Sequence, residues 1–195
     1  MSQLNVDALR HSSGTGPGID LQSSGNIAFD TNTLYVDTTN DRVGINDASP
    51  SYSLDVTGTE GVNLNTSPVV EGINIVAGAS NSTTNIDLLT NSTTLFTSAN
   101  TGNWTPNFRG NSSTTLNSVM NTGQVLVATI ISANGGSSGY SSNITIDGSA
   151  VTEEWLDNDV PSTRGGTSGY DFYQYTIIKT GNSAFTVFAV RSYCN

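Results

Sequence analysis

The stretch YQYTIIKTGNSAFTVFA, residues 173–189, decides the fold class. Two runs of β-branched and aromatic residues flank Gly181-Asn182, and a two-residue hairpin loop needs residues that accept positive φ. The runs extend to strands over Tyr170 to Thr180 and Ser183 to Tyr193. With Gly181-Asn182 as the loop, Ile178 pairs with Phe185, Tyr175 with Phe188 and Tyr170 with Tyr193, and a one-residue slip reverses every face. Working back toward the N-terminus, Gln124 to Ile131 reads as a Val- and Ile-rich strand and Gly135 to Gly139 as a loop. Asn143 to Ile146 reads as a further strand, Glu153 to Leu156 as a helical turn, and Pro161 to Gly169 as a Gly/Ser/Thr loop. At least four strands with aromatic faces predict an antiparallel β-sandwich or jelly-roll-like head over 121–195.

Upstream of this head the composition changes. Of the 195 residues, 26 are Ser, 27 Thr and 22 Asn, while Lys and Arg total 6 against 16 Asp and Glu. So few cations cannot neutralise a row of phosphates, which argues against a nucleic-acid partner. No run of about 18 apolar residues occurs, so no membrane insertion by a helix is expected. The N-terminal MSQLNVDALR lacks the basic-then-apolar pattern of a secretory signal, and the lone Cys194 excludes an intrachain disulfide framework. Low charge together with abundant Val, Ile and Thr argues for short polar strands over disorder. Charge marks boundaries near Gly61 and Asn121: between them stand only Glu71, Asp87 and Arg109.

In the N-terminal third, Leu4, Val6 and Leu9 alternate weakly, as a short strand does, and HSSGTGPG (11–18) reads as a linker. Its Gly14-Thr-Gly16-Pro-Gly18 lacks the preceding strand and following helix that a phosphate-binding loop needs. LYVDTTNDRVGIN (34–46) reads as a hairpin. With Thr39-Asn40 in the loop, Asp37 faces Arg42, Val36 faces Val43 and Leu34 faces Ile45, aligning opposite charges and apolar pairs.

This hairpin, followed by ASPSYSLDVTG (48–58), resembles a segment recurrent in bacteriophage tail fibres and related trimeric virion appendages. The resemblance covers Leu34 to Gly58, where the family pattern is a short β-unit in a stem. That pattern follows Val-Gly-Ile with Gly-Thr, whereas Asn46-Asp47 stand here, which bears on the turn after Ile45. MSQLNVDALR resembles the openings of structural proteins of marine phages, and residues 173–189 resemble the closing hairpin of their C-terminal domains.

The middle third repeats NSTT at 81–84 and 91–94 and NSSTT at 111–115, each of the first two followed by a β-prone run. Either a repetitive β-stem or composition alone produces this, since three or more clean copies mark a repeat architecture. Gly61 to Ala77 should supply one or two buried strands. The six Asn-x-Ser/Thr sequons match what this composition gives by chance.

Residues able to do chemistry are sparse. His11, the lone His, lies in the linker at the far end from the head, and a Ser–His–Asp arrangement needs an oriented imidazole. Asp157-Asn158-Asp159 near Glu153 and Glu154 reads either as a calcium site or as a solvated acidic loop. The Gly and distant Glu of a helix–loop–helix calcium loop are missing. Tyr140, Trp155 and Tyr170 flank the Gly-rich loops and are the candidate receptor contacts, though Trp155 equally suits a plug in the sandwich.

The expectation is therefore an all-β chain. Residues 1–20 form a short N-terminal virion anchor and linker, with Leu4, Val6 and Leu9 as candidate attachment residues. Residues 21–120 form an intertwined trimeric β-stem, and 121–195 a β-sandwich or jelly-roll-like head. The resemblance implies a structural virion fibre, a homotrimeric tail or neck fibre that binds other virion proteins through its N-terminus and a host-surface glycan or protein through its head. The alternatives are a collar, tail-adaptor-associated or capsid-decorating fibre, and a polysaccharide depolymerase. No cofactor, metal or catalytic residue is expected.

Overall fold

The computed structural model describes residues 8–9, 19–21, 23–29, 33–58, 62 and 70–194. It divides the chain into two compact units, 1–69 and 70–195, and is built predominantly of β-strands.

In the first unit six strands lie side by side in chain order: β1 (Ala8–Leu9), β2 (Ile19–Leu21), β3 (Ile27–Phe29), β4 (Leu34–Asp37), β5 (Arg42–Ile45) and β6 (Leu54–Val56). Neighbours are antiparallel except β5 and β6, which are parallel. The hairpin takes the register read from its sequence: Leu34 opposite Ile45, Val36 opposite Val43, Asp37 opposite Arg42. Asn46 turns the chain at φ +55°, a left-handed conformation that Asn tolerates where the fibre pattern has Gly. Gly44 cannot be replaced, because a Cβ there would lie 2.0 Å from the Asp47 carbonyl oxygen.

One face of this sheet buries Ala28, Tyr35 and Gly44. The amide of Asn26 donates to the Tyr35 hydroxyl at 2.6 Å. The opposite face is apolar in two cross-strand rows: Ile27, Val36, Val43 and Leu54, then Phe29, Leu34, Ile45 and Val56. None of these is buried, and Leu54 and Val56 are 62% and 42% exposed.

The second unit is a sandwich through which the chain passes alternately from sheet to sheet. β7 (Asn74–Val76), β9 (Thr93–Phe96) and β11 (Val125–Ala133) enter one sheet, while β8 (Ser82–Asp87), β10 (Trp104–Arg109) and β12 (Ile144–Ile146) enter the other. Because each sheet receives every second strand, these neighbours run parallel. β13 (Ser149–Val151) closes the four-stranded sheet, β13-β12-β10-β8. β14 (Glu153–Trp155), β15 (Tyr170–Gly181) and β16 (Ala184–Cys194) complete the six-stranded one, β14-β16-β15-β11-β9-β7. One core joins the sheets, with Ile86, Phe108 and Ile146 from the first meeting Ile130, Tyr173, Tyr175 and Val187 from the second. Phe108 meets Tyr175 edge-on at 5.0 Å between centroids, and Trp104 meets Tyr173 likewise at 5.4 Å.

Several expectations are corrected here. Strands of 70–120 pair with strands of 121–195, so no packing boundary falls near Asn121, and residues 70–120 of the expected stem belong to the same sandwich as 121–195. The runs after the two NSTT copies enter different sheets and build no repeating shaft. The sandwich is mixed, because strands alternate between sheets. Glu153–Trp155 is a strand parallel to β16, and only the following Leu156–Asn158 coils into a 3-10 turn. Within 61–77 the described strand is β7, which buries one side only: Val76 packs against the core while Ile75 is 64% exposed.

The closing hairpin slips by one residue from the expected register. Tyr175 faces Ala189, Ile178 faces Thr186 and Tyr170 faces Cys194. Lys179 pairs with Phe185 but Gly181 with Ala184, so Thr180 is an extra, bulged residue and Asn182-Ser183 make the turn, Ser183 at φ +51°. Asn117, on the helix α1 (Leu116–Val119), fixes this turn: its side-chain oxygen accepts Ser183 N–H at 2.8 Å and its amide donates to Asn182 Oδ1 at 3.1 Å. Buried Lys179 reaches the same helix, donating through Nζ to the carbonyls of Asn117 and Met120. The slip turns Val187 and Ala189 into the core and Phe188 outward.

The two outer faces of the sandwich differ in character. On the four-stranded sheet, cross-strand rows are polar: Asn85 accepts from Asn107, Asn107 accepts from Thr145, Thr105 donates to Asn143, and Arg109 pairs with Asp87 at 2.6 Å. On the six-stranded sheet, one row runs Ile75, Leu95, Ile131, Phe172 and another runs Val127, Thr176, Phe188.

Candidate functional site

One end of the sandwich is held by buried polar side chains, and this framework positions the loop at 134–143. Asn134 donates its backbone N–H to Gly169 O at 2.9 Å and its amide to Asp171 Oδ1 at 2.7 Å. The Tyr173 hydroxyl accepts Ser141 N–H at 3.2 Å, and burial pushes its ionisation up to about 12. Asn100 Oδ1 accepts Gly139 N–H at 2.6 Å, while its amide reaches Ser132 Oγ at 3.2 Å. Ser138 Oγ accepts Gly135 N–H at 2.6 Å and donates to Asn100 O. Gly139 lies so close to the neighbouring loop that a Cβ would stand 2.1 Å from the Gly102 carbonyl carbon. Buried donors satisfied in this way fix loop geometry, because any other arrangement leaves them unpaired.

The framework presents a cleft of about 420 Å³ at the N-terminal ends of β8 and β10 and before β12. Ser82, Thr83, Asn103, Trp104, Thr105, Tyr140, Ser142 and Asn143 line it. Tyr140 is tied in by its backbone, which donates to Asn103 Oδ1 at 3.2 Å and accepts Trp104 N–H at 3.2 Å. Thr105 Oγ1 donates to Asn143 Oδ1 at 3.1 Å. The lining carries hydroxyls, amides and aromatic rings but no charged side chain. Such groups suit a neutral, hydroxyl-rich ligand, with a ring for an apolar sugar face and amides for its hydroxyls.

A second cleft of about 320 Å³ includes Arg109 and Asp147, but both charges are engaged. Arg109 pairs with Asp87, whose hydrogen bond raises the guanidinium's ionisation still further. Asp147 accepts the backbone N–H groups of Leu116 and Asn117.

The structure separates the three aromatic candidates. Tyr140 lines the cleft. Tyr170 is exposed at the start of β15, outside the lining. Trp155 is buried with its ring edge-on to Tyr175 at 6.3 Å, so it plugs the core and is corrected as a surface contact. Leu4 and Val6 lie outside the described residues, as does His11, and Leu9 is described only through its backbone pairing with Ile19. Asp157 and Asp159 flank Asn158 in the 3-10 turn region. Among the described residues no three His, Cys, Asp or Glu side chains converge as a metal would require. Asn103, Thr105 and Asn143 carry the cleft but gave no signal in a chain so rich in Asn and Thr. Only their cross-strand register distinguishes them. Comparison with protein-family models, curated proteins and solved structures yields no match.

Proposed function

We propose that the chain is a structural fibre protein of a bacteriophage virion, working as a homotrimer whose first unit is a stem segment and whose sandwich is a head facing the host surface. The observation that carries this reading is the apolar face of the first unit. In one copy the rows from Ile27 to Leu54 and from Phe29 to Val56 reach only partial burial, and Leu54 and Val56 at their ends are exposed. A small sheet whose apolar face is only partly buried is short of the burial needed to offset a backbone ordering cost of about 1–2 kcal/mol per residue. Copies meeting through that face supply the missing burial. The number three comes from the fibre resemblance at Leu34 to Gly58, and the N-terminus, with Leu4, Val6 and Leu9, is the attachment to other virion proteins.

The uncharged cleft at Tyr140 favours host-glycan binding as the head's role over a purely decorative fibre. Its hydroxyl and amide lining offers recognition without a nucleophile–base pair, so the reading assigns binding and no catalysis. Cryo-EM of the intact particle tests the assignment. Three-fold appendages on tail, neck or capsid with the sandwich distal and free are expected. A sandwich packed against the tail or capsid would move the role to a collar or decorating fibre, and a particle lacking the chain would overturn the reading. Release of sugars from host polysaccharide by the pure protein would favour the depolymerase alternative.

A further inference from the structure

Strand β10 joins the two clefts of the sandwich. Trp104 and Thr105 line the first, of about 420 Å³, and Asn107 and Arg109 line the second, of about 320 Å³. β8 and β12 run parallel to β10 on either side, with Thr83 beside Thr105, Asn85 and Thr145 beside Asn107, and Asp87 beside Arg109. Alternate residues of a strand share a face, so Thr105, Asn107 and Arg109 follow one another outward at steps of about 6.6 Å, and the first and last stand about 13 Å apart. Asn107 is buried between its neighbours while Asn85 and Asn143 are exposed, so β10 is the floor of this face and β8 and β12 are its banks. Tyr140 bounds one end and the 111–115 loop the other. The hydrogen bonds within the face are one-sided. Asn143 Oδ1 accepts from Thr105, Asn85 Oδ1 accepts from Asn107, and Arg109 turns Nε and Nη2 to Asp87. Among the described residues no acceptor meets the side-chain N–H groups of Asn143 and Asn85 or Arg109 Nη1. A free donor thus remains in each cross-strand row, each on a different strand.

We infer that the two clefts are the ends of one binding groove, and that its ligand is a linear, uncharged oligosaccharide lying along β10. The inference rests on the glycan reading of the Tyr140 cleft and adds chain length and charge class to it. Donors spread over about 13 Å outreach a single sugar ring, but they suit the hydroxyl and ring oxygens that recur along a sugar chain. Because cross-strand bonds already hold the Asn and Arg side chains, little rotamer freedom is lost when they bind. At the far end the carboxylates of Asp87 and Asp147 outnumber the Arg109 guanidinium, so an acidic sugar finds no net attraction there. A peptide is the less suited occupant. Protein partners dock through apolar and aromatic anchors near the centre of the contact, whereas Trp104 and Tyr140 both stand at one end of this groove.

Binding of the full-length chain to an array of linear glucans, mannans, galactans and their N-acetylated forms, graded from monosaccharide to hexasaccharide, tests it, with polyuronates of matching length beside them. Binding should strengthen with chain length, and neutral chains should bind better than polyuronates. Asn85→Ala and Ser113→Ala, both at exposed positions, should remove the gain with length, weakening the hexasaccharide about tenfold, as the loss of one or two hydrogen bonds does. Tyr140→Ala should weaken binding at every length. Equal binding of monosaccharide and hexasaccharide, or hexasaccharide binding indifferent to both Asn85→Ala and Ser113→Ala, would overturn the groove and leave the Tyr140 cleft reading standing. A preference for polyuronates would overturn the uncharged class. No binding at any length would overturn the glycan reading itself, and this inference with it.

Discussion

The carboxylate of Asp147 closes over the start of α1, accepting the backbone N–H of Leu116 at 2.7 Å and of Asn117 at 2.9 Å. These are helix-end donors with no intrahelical partner, and the acceptor comes from the turn after β12, itself at φ +50°. Through Asn117 the same helix holds the turn of the closing hairpin. Asp147→Ala should therefore destabilise the sandwich by about 1–3 kcal/mol, the cost of stranding donors. Asp147→Asn should lose less, since Asn keeps an acceptor oxygen and tolerates left-handed backbone. Urea unfolding followed by the fluorescence of buried Trp104 and Trp155 measures both.

Gly139 supports the cleft from behind. Gly139→Ala forces the 134–143 loop away from Gly102 and should cost more than about 1 kcal/mol, because the native position has no room for a methyl group. Any glycan binding at Tyr140 should fall with it. Calorimetric melting of the variant beside Tyr140→Ala, which should spare stability, separates scaffold from contact.

Burial raises the carboxyl ionisation of Glu153 above its ordinary 4.5. The folded state thus favours the protonated acid, and stability contributed below 4.5 is lost as pH rises through the raised value. Glu153→Gln should melt higher than the parent at pH 7.5 and the same at pH 4. A constant difference across that range would contradict the assignment.

Asp37 behaves with the opposite sign. Its carboxylate accepts the Asn40 side chain at 2.8 Å and the backbone N–H groups of Thr39 and Asn40, and these bonds hold it below its ordinary 3.8. Its contribution is present above 3.8 and disappears as pH falls through the lowered value. Asp37→Ala should weaken amide protection in the 34–45 hairpin at pH 6, with the difference fading toward pH 2.

Local pairing was legible in the sequence where both partners sit within a dozen residues. The 34–46 hairpin follows from Asp37 facing Arg42 and from two apolar pairs that agree on one register. The closing hairpin was legible as strands, but its register was not. Thr180 bulges and Ser183 turns because Asn117, more than sixty residues earlier, binds Asn182 and Ser183. The passage of alternate strands between two sheets was hidden for the same reason. Nothing local to Ser82–Asp87 or Thr93–Phe96 says which sheet each will join, and that choice made 70–120 part of the sandwich. Trp155 resolved toward the core because Tyr175, inward on β15, offered its ring a partner.

The mass of the purified full-length chain in solution, by light scattering over a dilution series, tests the oligomeric fibre most directly. The account predicts a species of three times the 20.4 kDa chain mass, with amides of 33–58 protected from hydrogen exchange only while that species persists. A stable 20.4 kDa monomer with those amides protected would contradict it, because the apolar rows ending at Leu54 and Val56 would then need no partner copy.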